Sequence, residues 1–459
     1  MVRQRFIYCG IAAAFILSGE VRAQEDLGLR TSLDASEPVQ AGGAEAGNAR
    51  PAMLAAEPTT LEIDPIVEPP PPPRRKLSAE EDPYEALGIQ AGGLTLFPVM
   101  RAGVIVSDNP GLAESGRKGD IGARLRPSLR IASDWVRHEL TIEGAGDLVY
   151  YDEQPENDSQ EVDADARLRL DVLRSTTLTL AADFDLSEDN GVDSDVPDTA
   201  IGNRTDYSFG GSAALTHRVG RLWTTLSAGA DWQYYGDVKL SGGGEEDNAD
   251  REYVQPQAVL RVGYDASPAW RPFVEAAYAP RFHFEDLDRN GFDRDSNGYR
   301  VALGVAFDPS PIWSGELALS YLWRDYADSR LETLDTFGVT GRLTWRPTEL
   351  TTLDLILGTG LVETAEAGVS GARDWAARLA VSHDLREYLT IHGGAGLSYE
   401  DFQGTDETEL KLRGNAGVLW RMNRWLAWTL DYDFVSNDNS EPGSDYYENR
   451  VTAGIEVRR

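Results

Sequence analysis

The chain has 459 residues, 41% of them hydrophobic, with 45 glycines and a formal charge of -33. That acidic excess excludes nucleic acid as a partner, because a phosphate backbone needs a basic surface. Beyond the first two dozen residues no apolar run reaches the ~18 residues of a membrane helix, so any membrane crossing must be made by a closed barrel.

In chain order, Met1 to Ala23 reads as a secretory signal, with Arg3 and Arg5, an apolar run from Phe6 to Gly19, and Val21-Arg22-Ala23 as the cleavage site. Cys9, the only cysteine, leaves with it, so the exported chain has no disulfide or thiol chemistry. Residues 24–90 have no period and read as a disordered, Pro-rich periplasmic leader; Pro69 to Pro73 followed by Arg74-Arg75-Lys76 gives a short extended piece that serves as a spacer or a docking segment.

Residues 91–459 read as the barrel. The pattern is cleanest from Glu161 to Asp189. Val162, Ala164, Ala166, Leu168, Leu170 and Val172 alternate with Asp163, Asp165, Arg167, Arg169 and Asp171, a period of two that specifies a strand. After Arg174-Ser175 the alternation resumes with Leu178, Leu180, Ala182, Phe184 and Leu186, which predicts a hairpin of long strands. Short turns are expected near Arg137, Ser175, Gly220, Ser267, Ser310, Thr348, Leu385 and Asn423. Long polar loops are expected around Gly111, Glu156, Val192, Gly243, Asn290, Ala327, Ala367, Thr405 and Pro442. These connections predict an all-β, antiparallel up-and-down transmembrane barrel of about 18 strands, with both chain ends on the short-turn, periplasmic side.

Trp135, Trp223, Trp270, Trp313, Trp345, Trp420 and Trp425 lie beside short turns, as one interfacial girdle would place them. Tyr150-Tyr151, Tyr234-Tyr235, Tyr321 with Trp323, Phe402, Tyr432 with Phe434, and Tyr446-Tyr447 mark a second girdle at the other strand ends.

The opening of the barrel, Asp82-Pro83-Tyr84 with Leu87-Gly88-Ile89, then Gly92 to Pro98 and Ser107-Asp108-Asn109-Pro110, resembles the putative β-barrel porin family, type two, of Gram-negative bacteria. The resemblance implies an outer-membrane barrel. It also implies a link to exopolysaccharide or capsule export beside a periplasmic export protein. The chain closes on Val457-Arg458-Arg459 where many outer-membrane proteins end in an aromatic.

With apolar positions toward lipid, the alternate positions line a lumen rich in charge. The expected pore-lining bases are Arg124, Arg126, Arg130, Arg167, Arg169, Arg261, Arg342, Arg346, Lys411 and Arg413, the densest set being Arg124, Arg126, Arg167 and Arg169. Acids fall there too, among them Glu143, Asp165, Asp183 and Asp231. A dry core would not hold so many ions, so the interior is expected to be wet. Asp286 to Gly291 starts like a calcium loop, but Asn297 stands where the bidentate Glu belongs. No catalytic, metal or cofactor motif stands out, and an enzyme is not expected. The expected partners are outer-membrane lipid and lipopolysaccharide. Three functions stay open at this point: a conduit for polysaccharide export, a general diffusion porin, and a structural or adhesive barrel.

Overall fold

The computed structural model describes residues 84–459 apart from 190–199, 202, 241, 363, 365–367 and 441–442. The expected signal segment and residues 24–83 of the expected leader lie outside the described residues, as do the loop centres Val192, Ala367 and Pro442. The barrel strands are β1 (Leu94–Ser107), β2 (Asp120–Ser133), β3 (His138–Tyr151), β4 (Ser159–Leu173), β5 (Thr176–Asp189) and β6 (Arg204–Val219). They continue as β7 (Leu222–Tyr235), β8 (Tyr253–Tyr264), β9 (Trp270–His283), β10 (Ser296–Ser310), β11 (Trp313–Tyr326) and β12 (Leu334–Thr348). The last six are β13 (Thr351–Val362), β14 (Gly371–Arg386), β15 (Leu389–Gln403), β16 (Thr408–Arg421), β17 (Leu426–Asn439) and β18 (Tyr446–Arg458).

Each strand pairs antiparallel with the next, and β1 closes on β18 in a register running from Val99 opposite Arg458 to Ser107 opposite Arg450. The result is a closed 18-strand barrel, as the turn spacing predicts. Closure gives every strand two partners and leaves no edge. Alternate ends carry tight turns such as Gly220-Arg221, where Gly220 holds φ +64, a left-handed conformation that favours glycine. Register shifts sit beside four of these turns, between Asp171 and Leu173, Phe307 and Ser310, Trp345 and Thr348, and Asp384 and Arg386.

The wall has the inverse polarity of a water-soluble fold. Val104, Ile121, Leu226, Leu260, Leu303 and Leu319 stand exposed on the outside, whereas Arg124, Arg261, Glu275, Glu456 and Arg458 are buried inside. So much contiguous exposed aliphatic surface is stable against hydrocarbon, and the outer face is therefore the lipid face. Near the long-loop end, rings on successive strands touch outside the wall: Tyr278 and Tyr299 at 5.2 Å, Tyr299 and Trp323 at 5.1 Å, Tyr321 and Phe337 at 4.9 Å. At the short-turn end Trp313 stacks on Trp345 at 5.1 Å. These are the two girdles.

Five aromatics expected in the girdles face inward instead, among them Tyr235, against Arg204 and Arg251, and Tyr446, opposite the buried Asn437. Trp223 follows the exposed Leu222 on β7 and so points to the interior, where it is 1% exposed, packs against Phe273 and Ala318, and fills the space a side chain at Gly263 would need. Tyr151 packs inside with Ile105 and Val149, and Phe402 with Val362, Val369 and Ala372. Distance from a turn fixes depth in the membrane, but the parity of the strand fixes the side. Replacing Leu319, 62% exposed at mid-strand on the lipid face, with Arg is expected to destabilise the barrel by about 2–4 kcal/mol. The check is the fraction of detergent-extracted protein that shows heat-modifiable migration, which should fall.

Candidate functional site in the barrel interior

Inward positions carry the charge, and strand order decides which charges meet. Arg124 on β2 donates to Asp147 on β3 (Nε to Oδ1, 2.8 Å) and to Asp433 on β17 (Nη1 to Oδ2, 3.1 Å). Arg126 reaches Asp431 on β17 at 2.9 Å, and Arg101 on β1 pairs with Glu456 on β18 at 2.8 Å. Half a ring away, Arg261 on β8 holds Glu275 on β9 at 2.7 Å and Glu316 on β11 at 2.9 Å, with its guanidinium 4.0 Å from the centre of the Phe273 ring. Glu275 also binds Arg300.

Three of these contacts span three strand steps, Arg124–Asp433 and Arg126–Asp431 between β17 and β2, and Arg261–Glu316 between β8 and β11. On a flat sheet three steps measure ~14 Å, beyond the reach of one arginine, so the wall must turn sharply at both places. The two bends lie about nine strands apart in the ring of 18. At the bends the ions are sealed from water: Arg261 is 0% exposed, and Arg124, Arg126 and Asp433 are buried.

Elsewhere on the wall the interior charges at mid-strand are partly exposed. There the registers place Glu143 opposite Asp165, Asp165 opposite Asp183, Asp183 opposite Gly210, and Gly210 opposite Asp231. One row around the wall from β3 to β7 thus holds four carboxylates. Asp183 and Asp231 lean into the space that a side chain at Gly210 would take, and Gln257 donates to Asp231 at 3.3 Å. Along β12–β16 another row runs Arg342, Ile356, Arg378, Gly396, Arg413, three guanidinium groups on alternate strands β12, β14 and β16. Its neighbour Glu316 is already engaged by Arg261.

The ten bases expected from sequence all stand on interior positions, but in different settings. Arg124, Arg126 and Arg261 are enclosed in ion pairs at the bends. Arg342 and Arg413 belong to the basic row, and Lys411 pairs with Glu409 at 3.0 Å. Arg167 and Arg169 stand below the carboxylate row, Arg169 between Glu139 (3.6 Å) and Asp171 (3.1 Å). Arg130 lies 4.9 Å from the centre of the Phe97 ring, and Arg346 lies toward the short-turn end of β12. Arg378 joins them as the middle of the basic row. The alternation shows that each of these residues faces inward; only the pairing register shows which of them share a row.

At the long-loop end, Arg289 donates to Asp250 (2.8 and 3.0 Å) and binds Glu246, while Arg294 donates to Asp288 (2.6 Å) and to the Val369 carbonyl (3.1 Å). Asp288 also accepts the backbone amides of Asn290 and Phe292, so the calcium-like loop uses this carboxylate as an internal staple. Burial works to raise the Asp250 carboxyl, but the hydrogen bonds from Arg289 outweigh it and hold the group low. Burial, with Asp247 and Asp237 nearby, pushes the Glu252 carboxyl up to about 7. The five histidines sit apart: His138, His217 and His383 bond near short turns, His283 is at the long-loop end of β9, and His392 bonds Asp431 at 3.1 Å.

Two outcomes are expected. Arg261→Ala strands the buried Glu316 and leaves Glu275 to Arg300 alone, and should cost about 3–5 kcal/mol, read as a lower urea midpoint; Arg261→Met combined with Glu316→Gln should recover most of the loss. Between pH 4.5, the ordinary value, and about 7, the docked loop keeps Glu252 neutral where the undocked loop ionises it. Docking therefore weakens as pH rises through this window. The Phe284 amide, which donates to the Glu252 carbonyl at 3.0 Å, should exchange faster at pH 8 than at pH 5 after correction for intrinsic rate, and Glu252→Gln should abolish the difference.

Solved structures similar to the chain include the siderophore receptor PirA of Acinetobacter baumannii, at 7% identity and a TM-score of 0.39 over 79% of this chain and 80% of that one. OccK9 (OpdG) of Pseudomonas aeruginosa follows at 12% and 0.39, over 80% and 98%. The outer membrane protein OpdK of Pseudomonas aeruginosa stands at 12% and 0.37, over 79% and 99%. No curated protein matches the chain in sequence. The family model described as Putative beta-barrel porin 2 matches residues 82–459, and the chain belongs to that family of outer-membrane β-barrel porins.

Proposed function

We propose that the protein is a passive channel for small polar and ionic solutes. The observation that carries this reading is the partly exposed charge at mid-strand in the barrel interior, beside bends whose ions are sealed. Charged side chains left accessible in the middle of a lipid-embedded wall call for water between the walls. The short turns face the periplasm and the long loops the outside. The girdles seat in outer-membrane lipid, and the acidic loops meet lipopolysaccharide.

One observation favours a second reading, a conduit for exported polysaccharide with a periplasmic partner. Residues 84–91 dock at the short-turn mouth, where the Tyr84 carbonyl accepts from Arg458 (3.1 Å) and its ring lies 6.2 Å from that of Tyr388. A partner held by the leader would sit at that mouth. Against it, mid-strand interior positions among the described residues carry charge and no aromatic platform for sugar rings. Planar-bilayer recording separates the readings. Spontaneous stepwise conductance proportional to salt concentration is the expected result, and a bilayer silent until a periplasmic export protein is added would overturn it.

A further inference from the structure

Arg117 and Lys118 stand in the loop between β1 and β2, on a rim whose other long loops all carry an acidic excess. The Arg117 guanidinium lies 3.4 Å from the centre of the Tyr447 ring. Tyr447 is at the long-loop end of β18 and, like Val451 and Ile455 on the same strand, faces lipid, 42% exposed. We infer that this stacked arginine, with Lys118 beside it, is a binding site for a phosphate on the glycolipid headgroup of the outer leaflet. The inference goes beyond the channel reading and rests on it only for the orientation, with the long loops outside.

The loop holds its bases in place through a buried asparagine. Asn109, 1% exposed, donates its side-chain amide to the carbonyls of Ala113 (3.0 Å) and Tyr447 (2.9 Å) and accepts the Ala113 amide on its oxygen (3.0 Å). One side chain thus ties the loop to the strand that carries the ring. Gly116 turns the chain at φ +72 immediately before Arg117, and Gln154 from the next long loop donates to the Lys118 carbonyl at 3.2 Å. The nearby carboxylates are engaged elsewhere: Asp108 accepts from Asn449 (2.8 and 2.7 Å), and Asp120 from the amides of Glu153 and Gln154 (3.0 and 2.8 Å). Neither Arg117 nor Lys118 makes an ion pair among the described residues.

Stacking on a ring occupies the face of a guanidinium and leaves its five in-plane N–H donors free. None of the Arg117 donors meets a protein acceptor among the described residues. By contrast, Arg204, Arg289, Arg294, Arg330 and Arg373 at the same end each bind a carboxylate. A planar fork held at headgroup depth matches the oxygens of a phosphate, and the ammonium of Lys118 adds a second charge. Toward mid-strand from Tyr447, Val451, Val106 and Ile121 pair side by side on β18, β1 and β2 and form an exposed apolar row. The acyl chains of the same molecule would lie along that row. The site therefore fits an anionic head on an apolar body, which free phosphate lacks.

The test uses full-length protein in detergent and measures, by native mass spectrometry, the binding of lipid A, an acylated glucosamine disaccharide with a phosphate at each end. The wild type should bind lipid A about ten-fold or more tightly than the same lipid stripped of its phosphates. Combined Arg117→Gln and Lys118→Gln should remove that difference, and Tyr447→Leu should weaken lipid A binding by about two- to five-fold. Combined Lys239→Gln and Arg330→Gln, which removes the same charge elsewhere on the rim, should leave it in place. Heat-modifiable migration checks that each variant folds. Equal binding of the two lipids, equal loss in both double variants, or displacement by inorganic phosphate at the concentration of the lipid would overturn the inference. Orientation is read separately on intact cells carrying Lys118→Cys, which a membrane-impermeant maleimide should label. Labelling confined to lysed cells would overturn the orientation, whatever lipid A does in detergent.

Discussion

The pairing of β1 with β18 is the interaction on which the other features depend. In hydrocarbon an unpaired strand edge leaves a row of amides and carbonyls without partners, each costing several kcal/mol, so a sheet of this length is stable there only as a ring. Once the ring closes, inside and outside are defined for every residue, and the period of two assigns each side chain to one or the other. Leu319 and Ser320 are chain neighbours on opposite sides of the wall for this reason alone.

Closure does not settle the interior. Inward residues must be hydrated or paired, and this chain uses both solutions in different sectors. Where the wall bends, side chains three strands apart come within reach, and the result is a sealed network such as Arg261 with Glu275 and Glu316. Elsewhere on the wall the same kinds of residue keep partial access to water. Burial within a network thus distinguishes a structural arginine from a channel-facing one. Mutation of the first is expected to appear in stability and of the second in selectivity.

Much of this was legible in the sequence. The hairpin from Glu161 to Asp189, the eight short turns and the tryptophans beside them specify the strand count, and the alternation puts Arg167 and Arg342 on the same side. Two properties were not legible. The side taken by Trp223 depends on strand parity, which distance from a turn does not reveal. The alignment of Glu143, Asp165, Asp183 and Asp231 in one row, and of Arg342, Arg378 and Arg413 in another, depends on cross-strand register. A residue-by-residue reading of polarity has no access to register, which is why Arg124 and Arg169 look alike in sequence and differ in setting.

The contact between Arg458 and Tyr84 has a topological consequence. Because β1 and β18 are antiparallel neighbours whose outer ends both lie at the short-turn rim, the break in the chain is one more position in a ring of equivalent hairpins. A few residues joining 459 to 84, with a new opening at Gly220-Arg221 or Asn423-Arg424, would leave every pairing in place. The fold is cyclic in its hydrogen bonding, and its linear order is a property of synthesis.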